Sequence, residues 1–426
     1  MSLHAGISGV TITPPVGVEL CGYGYYRGRA STEIYRDLRA KAIVLDDGTQ
    51  RVAIIACDLI GVTAAITAQV RAQVEAATGI PRDHILVACT HTHSGPTTIA
   101  IRGLGEPDPE YLALLPRLVA GAAKIAAQRM VPAQARFGSA TLTSLAHNRV
   151  VEGGPTDSEV SVLRLDRGDG SLLATLAHFS CHAVTHRDTN TRISGDYPGA
   201  AMALVEAAHP GASAASLQGT CGDINPVLVH SDRVEEAGRQ LADAVLHALA
   251  AAGEPMEPMV RAHRAEVVLP QVAPERAAVE GQLEEWRRAR AQAEVGSPEQ
   301  RCARFEVESA EFMLRQLDAG APLGLRTEIQ ALRVGDLALA CQPGEMFVAF
   351  GLEVKERAPS PHTAVVGYAN DFAGYFPDPA DFDRGGYAAA QAPKFCDTYP
   401  YAPNVGSVVT ETMLEAVEAA LCAPEQ

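Results

Sequence analysis

Along the 426 residues, apolar runs bounded by turn residues alternate with alanine-rich stretches of helical period. Three hairpins follow one grammar. Arg39 to Ile60 reads Lys-Ala-Ile-Val-Leu, the turn Asp46-Asp47-Gly48, then Arg-Val-Ala-Ile-Ile-Ala-Cys. Val160 to His182 turns around Asp169-Gly170, and Arg326 to Cys341 around Gly335-Asp336. Helical spacing predicts helices over Thr63 to Ala77, Glu110 to Arg129, Pro198 to Ala208, Val234 to Ala252, Met346 to Arg357 and Val408 to Leu421. The charged, periodic stretch from Pro274 to Leu317, broken at Gly296-Ser297-Pro298, predicts a two-helix hairpin inserted between strands around Val267 and Ile329. Such an insertion serves as a spacer, a dimerisation arm or a lid. The expected fold class is α/β: a mixed sheet body with flanking helices and a helical-hairpin insertion near 274–317, forming a single domain over 1–426.

Composition narrows the function classes. With 47% hydrophobic and 20% charged residues, the chain is globular rather than disordered or collagen-like. Its net charge of −16, from 51 acids against 35 bases with no basic run, excludes nucleic-acid binding through a positive surface. The same charge gives no attraction to an anionic membrane. No apolar stretch reaches the ~18 residues of a membrane span, so no stable membrane insertion is expected. The N-terminus has neither a basic n-region nor an apolar h-region. Nine cysteines, an odd number without a C-x-x-C, signal neither a disulfide framework nor a thiolate zinc knuckle. A reduced, cytoplasmic protein is the expectation, with a homo-oligomer left open.

Candidate chemistry gathers where apolar runs end. Ile85-Leu86-Val87-Ala88-Cys89 reads as a strand buried on both faces, so His91 and His93, two apart, are expected on one side of its carboxyl end. Histidines holding a metal and histidines merely finishing a strand both explain that pair. In the segment from Leu176, His178, His182 and His186 recur at spacing four, and periodicity cannot say which matters. Three more apolar runs end at Asp58, at Asp223-Ile224-Asn225-Pro226 and at Glu345. Two or three histidines with one carboxylate and an open position form the ligand set of a hydrolytic zinc site. Pro14 to Arg29, rich in Gly and Tyr, either packs its aromatics inward or lines a cleft.

Taken in order, His91-Thr-His93-Ser-Gly-Pro, Phe179-x-x-His182, Gly222-Asp223-x-x-Pro226, Pro343-Gly344-Glu345 and Gly374-Tyr375 make the chain similar to neutral, non-lysosomal ceramidases over essentially its whole length. The resemblance implies one zinc ion per chain, held by His91, His182, Glu345 and Tyr375. Tyr387, twelve positions after Tyr375, matches a second family tyrosine, and Asn148-Arg149 resembles the family's Asn-Arg with its arginine in the active site. The family's active-site serine is replaced by Asn225, and no C-terminal immunoglobulin-like domain is expected.

The expected reaction is hydrolysis of an N-acyl bond by metal-activated water. His93 and Tyr387 are expected to serve the oxyanion or the leaving amine, and Arg149 to clamp an anionic or carbonyl group. Asp58 and Asp223 are expected to orient the histidines. The expected substrate is a small soluble amide. The alternatives are a ceramidase acting on sphingolipid in lipid metabolism, a metal-dependent esterase or phosphoesterase, and a non-catalytic metal-stabilised binding protein.

Overall fold

Turn chemistry interrupts the β-branched runs where expected, and the three hairpins seed two sheets. In the computed structural model, which describes residues 2–422, Arg39–Asp46 pairs antiparallel with Arg51–Cys57. Glu159–Arg167 pairs likewise with Leu172–Phe179, and Leu325–Val334 with Leu337–Cys341. The first two hairpins join an eight-stranded sheet ordered Ser213–Gln218, Leu172–Phe179, Glu159–Arg167, Val131–Thr141, Leu3–Thr11, Arg39–Asp46, Arg51–Cys57, Ile85–Cys89. Its outermost pair at each edge is parallel. The third hairpin lies between Val260–Leu269 and His362–Val366 in a four-stranded sheet.

Alternation along each strand sends neighbouring side chains into different layers. On Arg51–Cys57, Ala53, Ile55 and Cys57 enter the core that includes Val70, Leu115, Met202 and Leu241 of helices Ala64–Thr78, Pro109–Gln128, Asp196–Ala208 and Val234–Ala250. Val52, Ile54 and Ala56 instead meet Leu332, Leu339 and Val366 of the smaller sheet. The opposite face of that sheet, through Ala331, Ala340 and Val365, packs with Val354 and Met413 of helices Val348–Arg357 and Val405–Cys422. The mixed α/β architecture is as expected. Its division into two stacked sheets between helical layers is a finding of the structure, because strands buried on both faces carry no mark of which sheet they join. Among the described residues, no helix is long and apolar enough to cross a membrane.

The inserted hairpin consists of Arg276–Gln292 and Pro298–Asp318, the second helix capped by Ser297. Val279 and Leu283 meet Val307, Ala310 and Met313 between the helices. The second helix also grips the tyrosine loop. Phe305 stacks on Tyr25 with ring centres 3.8 Å apart, Arg304 lies over Tyr26 at 3.9 Å, and Tyr26 donates a hydrogen bond to Glu308. As folded, the insertion is therefore a buttress for the loop 14–29.

One buried ion pair ties the two sheets together. Asp47, in the first hairpin turn, accepts hydrogen bonds from the Val260 amide at 3.0 Å and Arg261 Nη1 at 2.7 Å. Burial works against its charge, but bonds from Thr49, Val260 and Gln50 outweigh it and lower its pKa to about 2. Because the unfolded carboxyl titrates near ~3.9, the unfolded chain takes up the extra proton. The stabilisation is whole above that value and drains as pH falls through the folded pKa. Asp47→Asn leaves Arg261 buried without its counter-charge and is expected to cost about 3–5 kcal/mol in urea unfolding at neutral pH. It should also remove part of the parent's loss of stability in acid. An unchanged unfolding midpoint would count against this role.

Candidate functional site

The strand ends do converge on one rim, though loops rather than strands aim the histidines. Ile85–Cys89 stops two residues before His91, whose φ of +60° lies in the left-handed region. That reversal, not period-two alternation, brings His93 back against His91, their Nε2 atoms 3.2 Å apart. His182 likewise follows the strand Leu172–Phe179 in a loop. Of the three histidines at spacing four, only His182 enters the site. His178 Nε2 meets the Val365 carbonyl at 2.9 Å, and His186 Nδ1 lies 3.4 Å from Asp232.

One ring nitrogen from each of His91, His93 and His182 lies within 4.8 Å of the others. Glu345 Oε2 is 3.0 Å from His182 Nε2 and 3.5 Å from His91 Nε2. Glu345 stands beside Tyr375 because the short strands Glu345–Met346 and Tyr375–Phe376 pair in parallel with those two residues in register. Gly222 is needed at this junction: a Cβ there would sit 2.4 Å from the Glu345 carbonyl oxygen.

The protons can be assigned from the partners. His91 Nδ1 lies 2.7 Å from the Ile60 carbonyl and His182 Nδ1 3.0 Å from that of Ile224. A carbonyl only accepts, so both Nδ1 atoms carry hydrogen, and the Nε2 atoms are the ones that face the centre and can offer a lone pair there. Burial, with Arg149 nearby, lowers the pKa of His182 to about 4, which keeps that ring neutral at pH 7. Burial opposes the charge of Glu345, and only positive charge on the side of His91 and His182 holds its carboxyl well below the usual range. Two imidazole lone pairs thus face a carboxylate in a buried centre. That arrangement repels itself unless a cation stands among the three. The donors therefore fit a metal ion. His93 differs, since its Nδ1 is buried and, among the described residues, has no partner and no carbonyl to fix its tautomer.

Around this centre, Arg149 Nη2 donates to the Tyr375 hydroxyl at 3.0 Å and to the Gly222 carbonyl at 2.8 Å. Tyr387 meets Tyr375 edge-on, ring centres 5.8 Å apart. Tyr387 remains 50% exposed and lines a cleft of about 320 Å³ with Arg149, Val150, Phe347 and Arg384. Asn225 follows Ile224, and its Oδ1 is buried without a partner among the described residues.

The two aspartates require correction. Asp58 accepts from the Arg39 amide at 2.9 Å, and its hydrogen bonds among the described residues include none to a histidine. Asp223 accepts from the Val348 amide and from Asn148 Nδ2, both at 2.7 Å. Backbone carbonyls already occupy the Nδ1 positions of His91 and His182, so no carboxylate is required there. Asp223 instead fixes the turns that present Arg149 and Ile224. Sequence reasoning also missed Tyr368, stacked on His91 at 4.0 Å, with its hydroxyl 3.4 Å from Glu345 Oε2. The signal was available, since Tyr368 follows the apolar run ending at Val366 as the other site residues follow theirs.

Two solved structures share this fold. The neutral ceramidase from Pseudomonas aeruginosa superposes with a TM-score of 0.77 at 20% identity, over 98% of this chain and 74% of that one. A ceramidase complexed with C2 gives 0.78 at 18% identity, over 98% and 75%. At such identities the likeness concerns the fold, while the family rests on sequence. Residues 3–240, more than half the chain, match the model for the neutral/alkaline non-lysosomal ceramidase N-terminal region. The order of motifs and the match over those residues give one conclusion: the chain belongs to the neutral/alkaline non-lysosomal ceramidase family.

Proposed function

We propose that this protein is a zinc-dependent hydrolase of N-acyl amide bonds, with one ion per chain held by His91, His182, Glu345 and Tyr375. The observation that carries the reading is the confrontation of two Nε2 lone pairs with the Glu345 carboxylate, at 3.0 and 3.5 Å, in a buried centre. A zinc ion there would supply Lewis-acid activation of water and of the acyl carbonyl. The remaining work falls to the chain's own groups. His93, with no carbonyl fixing either nitrogen, is suited to hand a proton to the leaving amine. Tyr387, its hydroxyl free of protein partners among the described residues, donates to the oxyanion. Asn225, whose Oδ1 has no partner among the described residues, stands where the family's serine is expected.

A compact substrate agrees with the cleft. Its volume of about 320 Å³ lies at the low end of the roughly 300–1,000 Å³ usual for small-molecule sites. Family membership favours a second reading, ceramide itself, and one assay separates the two. Activity toward short N-acyl amines, N-acyl amino acids and ceramide in detergent is measured before chelation, after it and after zinc return. Loss on chelation, recovery with zinc and a higher kcat/KM for the best soluble amide than for ceramide are expected. Activity indifferent to chelation would overturn the metal, and ceramide turnover equal to the best soluble amide would overturn the compact substrate.

A further inference from the structure

The cleft beside the centre carries a guanidinium that has no ion-pair partner among the described residues. Two guanidinium groups, Arg149 and Arg384, line it. Arg384 is matched by Asp381, a buried carboxylate 2.8 Å away that also accepts from the Ala389 amide at 3.0 Å. Arg149 has no such partner. Among the described residues no carboxylate lies within ion-pair distance of it, and its contacts are a phenol and a carbonyl, both through Nη2. Nη1 and Nε have no hydrogen-bond partner among the described residues. In a chain of net charge −16, a cleft whose own side chains sum to one positive charge is set up for an anion.

Resting on the amide-hydrolase reading, we propose that the substrate bears a carboxylate beside its scissile amide, as an N-acyl amino acid does, and that Arg149 receives it. A single uncompensated cation balances a monoanion, whereas a phosphate would bring roughly −1.5 to −2. The apolar remainder of the lining, Val150, Phe347, Ala388 and the Tyr387 ring, suits a short apolar group attached to that head. In the reaction the C–N bond breaks, a C–O bond forms from water, and the leaving nitrogen takes a proton. The products are a carboxylic acid and a free amino acid, with no redox partner.

The test compares N-hexanoyl-alanine with N-hexanoyl-alaninamide, two compounds of equal shape that differ by one charge. Calorimetric binding to the metal-loaded protein requires no turnover. The acid is expected to bind about tenfold tighter or better, the range of a charge-assisted hydrogen bond. Arg149→Gln should bring the ratio to about one, and Arg149→Lys should keep part of it. Equal binding of acid and amide by the parent overturns the proposal. So does a preference that survives Arg149→Gln, since the carboxylate then sits on the metal. Release of the amine, alanine from the acid and alaninamide from the amide, is measured separately. Arg149-dependent binding without release would sink the hydrolase reading and leave the carboxylate site standing. Release from both compounds at equal kcat/KM, with equal binding, would do the reverse.

Discussion

His91→Ala is expected to remove most of the bound metal and to lower kcat/KM by at least ~10³. The size reflects the chemistry that the proposed ion would supply. Lewis-acid stabilisation of developing charge contributes several kcal/mol, and each ~1.4 kcal/mol is tenfold in rate. The variant removes one of the two imidazoles whose Nδ1 is held by a carbonyl, and His93, the ring nearest to it, has no such anchor. His93→Ala is the informative comparison. It should keep the metal and lose ~10²–10⁴ in rate, the span of a general acid–base group. Metal content by elemental analysis and rate on the same preparations decide the matter. Full metal in both His91→Ala and His182→Ala would show that the ligands are misassigned, and metal loss in His93→Ala would favour a three-histidine set.

Tyr387→Phe should lower kcat by ~10²–10³ with metal content and stability unchanged, the loss typical of one oxyanion donor. Its hydroxyl makes no hydrogen bond to the protein among the described residues and the residue is half exposed, so folding has little to lose. Tyr375→Phe should behave in the opposite sense. That hydroxyl accepts from Arg149, and the residue is buried in register with Glu345, so the change should weaken metal retention. Loss of zinc from Tyr387→Phe with retention in Tyr375→Phe would mean the two roles are exchanged.

Local structure was legible where one period dominates. The Asp46-Asp47-Gly48 turn, the helix starting at Thr63-Ala64 and the break at Gly296-Ser297-Pro298 lie within a residue of where the sequence puts them, because turn and helix-end chemistry is decided within a few residues. The stacking of two sheets was not legible, since Ile54 and Ile55 are equally apolar and differ only in which layer they meet. At the site, motif order brought His91, His182, Glu345 and Tyr375 together, yet strand alternation does not explain how His91 and His93 meet. A residue at φ +60° breaks that alternation, and nothing in the side chain of a histidine announces it. Asp58 was misjudged for a related cause. The group that holds His91 is the carbonyl of Ile60, two residues on, and a carbonyl looks the same at every position of a sequence.

Anomalous diffraction at the zinc edge, from crystals grown without chelator, would locate the ion that the proposed mechanism requires. One peak per chain is expected, about 2.0–2.2 Å from His91 Nε2, His182 Nε2 and a Glu345 carboxylate oxygen, with the Tyr375 hydroxyl as the fourth ligand. Two peaks ~4 Å apart, as in two-metal phosphoesterases, or a single peak bound by His93 with Glu345 outside its reach, would contradict a mononuclear centre built on those ligands.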